Sequence, residues 1–236
     1  KDAFSKQSLF LAAWKELYPE LIEWVPLSKG GRVTSVDPAT NTLTTAIGGW
    51  NDSNANGVVD ANEVTLASGQ GAIAIGPAAQ STQSGTISIG ADSTATAQAS
   101  TAVGTIAHAT GVGSAAYGFD ASATQQAALA LGGGSRATAT NSTAVGTLAQ
   151  AQAGNTIAIG FQSNTLATDS IVVGTNAAIA AVGVNGISIG NNSQVNSLNG
   201  LALGTNAVVA ALDPSGTPMN NGIAIGNNSP SNNADA

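Results

Sequence analysis

The 236 residues include no cysteine, which excludes a disulfide framework and a thiol nucleophile. Charge is almost missing from the later part. Residues 71–236 hold only Asp92, Asp120, Arg136, Asp169, Asp213 and Asp235, while the other thirteen charged residues fall in residues 1–70. With so few cations and a net charge of -7, no nucleic-acid groove can be built, because that needs clustered Lys and Arg to release counterions. No apolar run approaches the roughly 18 residues of a membrane-spanning helix. The chain opens on Lys1 and Asp2 with no recognisable signal peptide, which reads as a piece of something longer.

Catalytic chemistry is equally short of parts. The one histidine, His108, falls at an outward position of a short strand, with nothing to desolvate or orient it for a Ser-His-Asp arrangement. Gly132-Gly133-Gly134 lacks the lysine of a phosphate-binding loop. Threonine is abundant, but we read no regular outward threonine ladder of the kind an ice-binding solenoid needs. A lyase built on a solenoid would need a cluster of outward acids, and none is written. The expectation is a protein that is not an enzyme.

What the chain does have is one phrase written eleven times between Ile73 and Gly226: apolar, small, apolar, glycine. The closing glycines are Gly76, Gly90, Gly104, Gly118, Gly132, Gly146, Gly160, Gly174, Gly190, Gly204 and Gly226. Seven equal steps of fourteen positions carry the phrase from Gly76 to Gly174, and steps of sixteen, fourteen and twenty-two follow. Self-similarity at a fixed period marks a repeat architecture. One and three residues before each glycine stand pairs such as Ile157 and Ile159, or Leu201 and Leu203, with Ala158 or Ala202 between them. That alternation spells a short strand with one buried face. We expect the large aliphatics to face inward against the small residues of a second strand, such as Ala107 and Ala109 or Ala149 and Ala151. The alanine row between the aliphatics then faces outward.

Each step of the repeat thus makes one coil, written as two strands and two tight corners. Coils stacked at about 4.8 Å make a rod on the order of 50 Å long. Glycine suits the corner because it tolerates positive φ and close backbone approach. A long uncharged stripe of small side chains is what an oligomer interface needs, so the residues predict an oligomer.

Phrases such as Asn155-Thr156-Ile157-Ala158-Ile159-Gly160 and Asn221-Gly222-Ile223-Ala224-Ile225-Gly226 resemble the head motif of trimeric autotransporter adhesins of the YadA-like type. The resemblance covers residues 71–236. It implies a left-handed parallel β-roll, a homotrimer, and display on the bacterial cell surface, anchored to the outer membrane through parts outside this sequence. It further implies attachment to host extracellular matrix, to cell-surface ligands or to abiotic surfaces, with no membrane contact by this segment. No residue-level binding site carries over. The other reading is a structural spacer or phage-fibre-like shaft that projects an N-terminal binding tip. Two departures from the regular step, Ala180–Asn185 and the stretch around Asp213–Pro218, predict loops thrown outward, either ligand-contacting or simply tolerated.

Residues 1–30 read as a helical cap, because Phe10, Trp14, Leu17, Leu21 and Trp24 form one apolar stripe at helical spacing, with Pro19 interrupting it. A binding role for those aromatics is the alternative. Residues 31–70 read as a β-hairpin, Arg32–Val36 and Thr42–Ile47 around Asp37-Pro38-Ala39-Thr40-Asn41, followed by a calcium-type loop. Calcium takes six to eight oxygens, and a 12-residue loop offers them at positions 1, 3, 5, 7, 9 and 12 with glycine at 6. Here these are Asp52, Asn54, Asn56, the Val58 carbonyl, Asp60 and Glu63, with Gly57 at the bend. The pattern resembles EF-hand and dockerin-type loops, and its expected role is structural, at the junction of cap and roll. The alternative is an Asn- and Gly-rich turn that fits by coincidence.

Overall fold

The computed structural model describes residues 25–27, 30–37, 42–49, 63–212, 216 and 220–231. All regular structure among them is β. Strands β1 (Val25–Leu27) and β2 (Gly30–Asp37) are antiparallel, and β2 pairs in turn with β3 (Thr42–Gly48), with Asp37 opposite Thr42. The hairpin expected from the sequence is therefore present. The helical stripe expected at Phe10–Trp24 lies outside the described residues.

From β3 onward the chain climbs as a parallel β-solenoid. Each later coil gives a three-residue strand to one sheet and a two-residue strand to the other; with β1, β2 and β3 at its edge the first sheet has 14 strands, and the second has 12, each in sequential order. In the first coils these are β4 (Leu66–Ala67), β5 (Ile73–Ile75) and β6 (Gln80–Ser81). Register is strict: Ile157 lies beside Thr143 and Ile171, and Ala158 beside Ala144 and Val172. The roll also begins before residue 71. Thr45, Ala46 and Ile47 pair in parallel with Ile73, Ala74 and Ile75, so Thr45-Ala46-Ile47-Gly48 is one more copy of the phrase. Its glycine stands two full steps ahead of Gly76 rather than one.

The two faces of the roll are the reverse of the sequence expectation. The alanines two before each glycine (Ala74, Ala102, Ala116, Ala130, Ala144, Ala158, Ala202) are fully buried, while Leu131, Ile157, Ile159, Ile189 and Ile225 are exposed. The reason is cross-section. Two parallel strands joined by tight corners leave room for four small side chains per coil. These come from the positions two and four before the glycine and three and five after it.

The volumes in that interior compensate each other. Ala137 faces Ser142 and Ala151 faces Thr156, but where the chain places Ile179, Val195 or Val209 on one strand, the opposing position becomes Gly186, Gly200 or Gly222. A Cβ on Gly200 would stand 2.6 Å from the Val195 Cγ1. This is large-against-small packing at constant volume, acting between other positions than the sequence suggested.

Interior hydroxyls are paired within the coil. Ser88 and Ser93 share a bond of 2.8 Å, as do Ser188 and Ser193; Ser81 donates to the Thr86 carbonyl at 2.9 Å; Thr165 bonds Ser170. The Oγ atoms of Ser100, Ser197 and Ser231 are buried without a partner. The phrase-closing glycines stack directly on one another. Gly160 has φ +132, and a Cβ there would lie 2.4 Å from the Gly174 carbonyl oxygen. Both facts forbid a side chain at that corner.

Candidate binding surfaces

A roll of this kind offers two sheet faces and two corners, and each carries a distinct chemistry. Outside the first sheet runs a largely apolar stripe with two side chains per coil, interrupted at one of the two positions by Thr101, Ala115 and Thr143. It passes from Ile73 and Ile75 through Ile87 and Ile89, Leu129 and Leu131, Ile157 and Ile159, Ile171 and Val173, Ile187 and Ile189, and Leu201 and Leu203 to Ile223 and Ile225. These side chains are half-buried or exposed. The stripe keeps to one line along the roll because the strands follow one another in register. The eleven coils from Ile73 to Ile225, at about 4.8 Å each, give it a length on the order of 50 Å. Isolated exposed aliphatics need no explanation, whereas a contiguous file of this length marks an interaction surface.

The second sheet presents polar groups. Six residues after each glycine stand Thr82, Thr96, Thr110, Thr124 and Thr138 in five successive coils, a single threonine file that the sequence reading missed. The rank beside it is mixed (Gln80, Thr94, His108, Ser122, Arg136), so no second matching file exists. His108 is half-buried on this outer face, where the sequence placed it.

The corners carry amide ladders. Asn141 donates from Nδ2 to Asn155 Oδ1 at 3.0 Å, and Asn155 donates to Asp169 Oδ1 at 2.9 Å. On the same corner Asn185 donates to Asn199 at 3.0 Å, and Asn199 to Asn221 at 2.9 Å. At the other corner Asn192 donates to Asn206 at 3.2 Å, and Asn206 to Asn228 at 2.8 Å. All these residues have φ between +53 and +59, the left-handed region that Asn and Asp tolerate best after glycine. The two-residue insertion bulges from the first corner. Its tip, Val182, is exposed, while Gly183 tucks back under it and its N–H donates to the Ala180 carbonyl at 2.8 Å.

Of the residues expected to hold calcium, Asp52, Asn54, Asn56, Val58 and Asp60 lie outside the described residues. Glu63 is described and is fully buried, just before the bridge residue Val64. Among the described residues, no three His, Cys, Asp or Glu side chains gather in one place. An ion pair on the outer surface joins Arg136 to Asp120. No helix among the described residues is long and apolar enough to cross a membrane.

A family model described as "YadA head domain repeat (2 copies)" matches residues 67–93, 95–121, 123–149, 151–177 and 181–207, more than half of the chain. Each match spans two coils, in the register derived above. A second model, "Sulfide dehydrogenase (flavocytochrome c) flavoprotein chain, central", matches residues 1–59, a quarter of the chain that lies mostly outside the described residues. No curated protein matches. Among solved structures, the collagen-binding domain of the Yersinia adhesin YadA is similar at 25% identity, over 68% of this chain and 80% of that one, with a TM-score of 0.48.

Proposed function

Because this chain belongs to the YadA head domain family, we propose that it is the head of a bacterial surface adhesin, working as a homotrimer that attaches cells to host matrix, to cell-surface ligands or to abiotic surfaces. Family membership supports an adhesin-like, non-enzymatic role at the cell surface. The observation that carries the assembly is the outward aliphatic stripe. Three rolls that turn their first sheets toward a shared axis cover it, and the polar second sheets and at least one corner of each roll stay in solvent. Anchoring to the outer membrane belongs to other parts of the protein. Three copies on one rigid rod convert weak single contacts into avidity.

The test is the mass of the folded protein by sedimentation equilibrium, paired with attachment of bead-coupled protein to matrix-coated and bare surfaces. A trimer that attaches supports the reading. A monomer, or a trimer inert on every surface, refutes it. Removing residues 1–41, which stops short of the first coil at Thr45, locates the binding surface. Attachment retained after that cut assigns adhesion to the roll, whereas attachment lost from an intact trimer assigns it to an N-terminal tip projected by the roll as a shaft.

We also propose that Asp52, Asn54, Asn56, the Val58 carbonyl, Asp60 and Glu63 bind one structural calcium ion. The spacing and the oxygen-only donor set support this. Glu63 is buried at the base of the roll, so an ion held there would tie the loop to the first coil. Calcium titrated into chelator-treated protein should release or absorb heat and raise the melting temperature; no heat and no shift would sink the proposal.

A further inference from the structure

From Glu63 onward the described residues contain three aromatic side chains; Tyr117 ends a strand of the first sheet, and the other two lie at the corner of the roll that follows that sheet. Tyr117 precedes the closing Gly118, Phe119 follows it, and Phe161 follows the closing Gly160. Phe119 and Phe161 occupy the same register position three coils apart, about 14 Å along the axis, and are 64% and 47% exposed. In the coil after Phe119 that position is Gly133, where a Cβ would meet nothing closer than the Phe119 carbonyl oxygen at 3.9 Å. Its neighbour Gly134 is covered by Leu148, whose Cδ2 lies 2.8 Å from where a Gly134 Cβ would stand. The result is a notch with a glycine floor, walled by Phe119 on one side and by Thr147 and Leu148 on the other.

A second observation concerns polarity. The ion pair between Arg136 Nη2 and Asp120 Oδ2, at 3.1 Å, belongs to the same two coils. Asp120 follows Phe119 directly, and Arg136 opens the strand that leaves Gly134. Next to them on the second sheet, Gln152 donates to Gln150 at 2.5 Å and to Asn164 at 3.4 Å. Exposed aromatic rings beside planar carboxylate, guanidinium and carboxamide groups are the chemistry that grips a pyranose. Its C–H face lies on an aromatic or aliphatic wall, and its hydroxyls bond the planar groups in pairs. The one cation is already matched by a carboxylate, so the corner has no surplus charge to hold a sulfated or sialylated polymer. The features are strung along the axis rather than around it, which suits a linear chain.

We propose that the corner from Phe119 to Phe161 binds a neutral linear glycan parallel to the axis of the roll, with one sugar ring seated in the notch at Gly133. The proposal rests on the adhesin reading and names a ligand chemistry for it.

The experiment titrates cellohexaose, chitohexaose and laminarihexaose into the assembled protein by calorimetry. Wild type should bind at least one of them. The double variant Phe119→Ala/Phe161→Ala should lose at least about tenfold in affinity with an unchanged sedimentation coefficient. Gly133→Leu, which fills the notch and leaves both rings in place, should lose a similar factor. Binding of none of the three by wild type, or equal binding by both variants, overturns the proposal. So does a change of oligomeric mass in the double variant, which would make the corner a contact between copies. Attachment of the beads is read separately. Beads that attach while wild type binds no hexaose sink the glycan site and spare the adhesin reading; hexaose binding by protein inert on every surface does the opposite.

Discussion

Gly160→Ala adds one methyl group at a corner where the structure leaves no room for it. The backbone there has φ +132, and the new carbon would stand 2.4 Å from the Gly174 carbonyl oxygen and 2.6 Å from its carbon. Forcing an alanine into a conformation reserved for glycine costs about 1–3 kcal/mol. The contact with the next coil cannot be relieved by a rotamer change, because both partners are backbone, and overpacking of that kind adds about 1–3 kcal/mol. The sum is about 2–6 kcal/mol. In a chain of this size each kcal/mol moves the melting temperature by about 2–4 °C, so a drop of about 5–20 °C is expected. Gly133→Ala supplies the matched control. The chemical change is identical, but the nearest atom is 3.9 Å away and φ is not in the left-handed region, so the melting temperature should move by no more than about 2 °C. Circular dichroism melts at equal concentration measure both. If the two variants melt together, stacking of the glycines is not what fixes the phrase.

Other expectations concern the interior and the ladders. Ala130→Leu should prevent folding or cost at least about 3 kcal/mol, because the site is fully buried in a four-side-chain interior. Leu131→Ala, one residue on, should leave the coil folded and weaken association, as read by the concentration dependence of sedimentation. Ser100→Ala removes a buried hydroxyl that has no partner, and the equivalent position in a later coil is already Ala128. It should raise stability by about 1 kcal/mol, visible as a higher denaturation midpoint. Asp169→Asn restores a donor at the point where a carboxylate halts the Asn141–Asn155 ladder. Asn185 holds the equivalent position in the next coil. The added bond should contribute about 0.5–1.5 kcal/mol, and an unchanged or lowered melting temperature would contradict that ladder continuing.

The period, the two short strands per coil and the corner glycines were legible from residue spacing alone. The inside and outside of the coil were not. Alternation of Ile157, Ala158 and Ile159 states that one face is buried without stating which, and hydrophobicity favours the wrong answer. The deciding signal was volume. Ile179, Val195 and Val209 each coincide with a glycine at the opposing position, a correlation that makes sense only if those positions share the interior. The coil at Thr45–Gly48 was hidden because its glycine lies at twice the usual distance from the next copy of the phrase. The threonine file escaped because it lies outside the phrase used for alignment. The candidate calcium ligands rest on spacing alone, and of the six only Glu63 falls among the described residues.

Every amide in the corner ladders points its hydrogens toward higher residue numbers. The rod is therefore a polar object in the sense that a magnet is, with unlike poles. The ladders begin midway along it, where the oxygen of Asn141 is spare, and run to its late end, where the hydrogens of Asn221 and Asn228 are left over. A lid evolved or designed to close one extremity would meet the wrong partners at the other. Lengthening such a rod by duplicating an interior coil demands nothing of either terminus, whereas turning it end for end would demand that both be rebuilt.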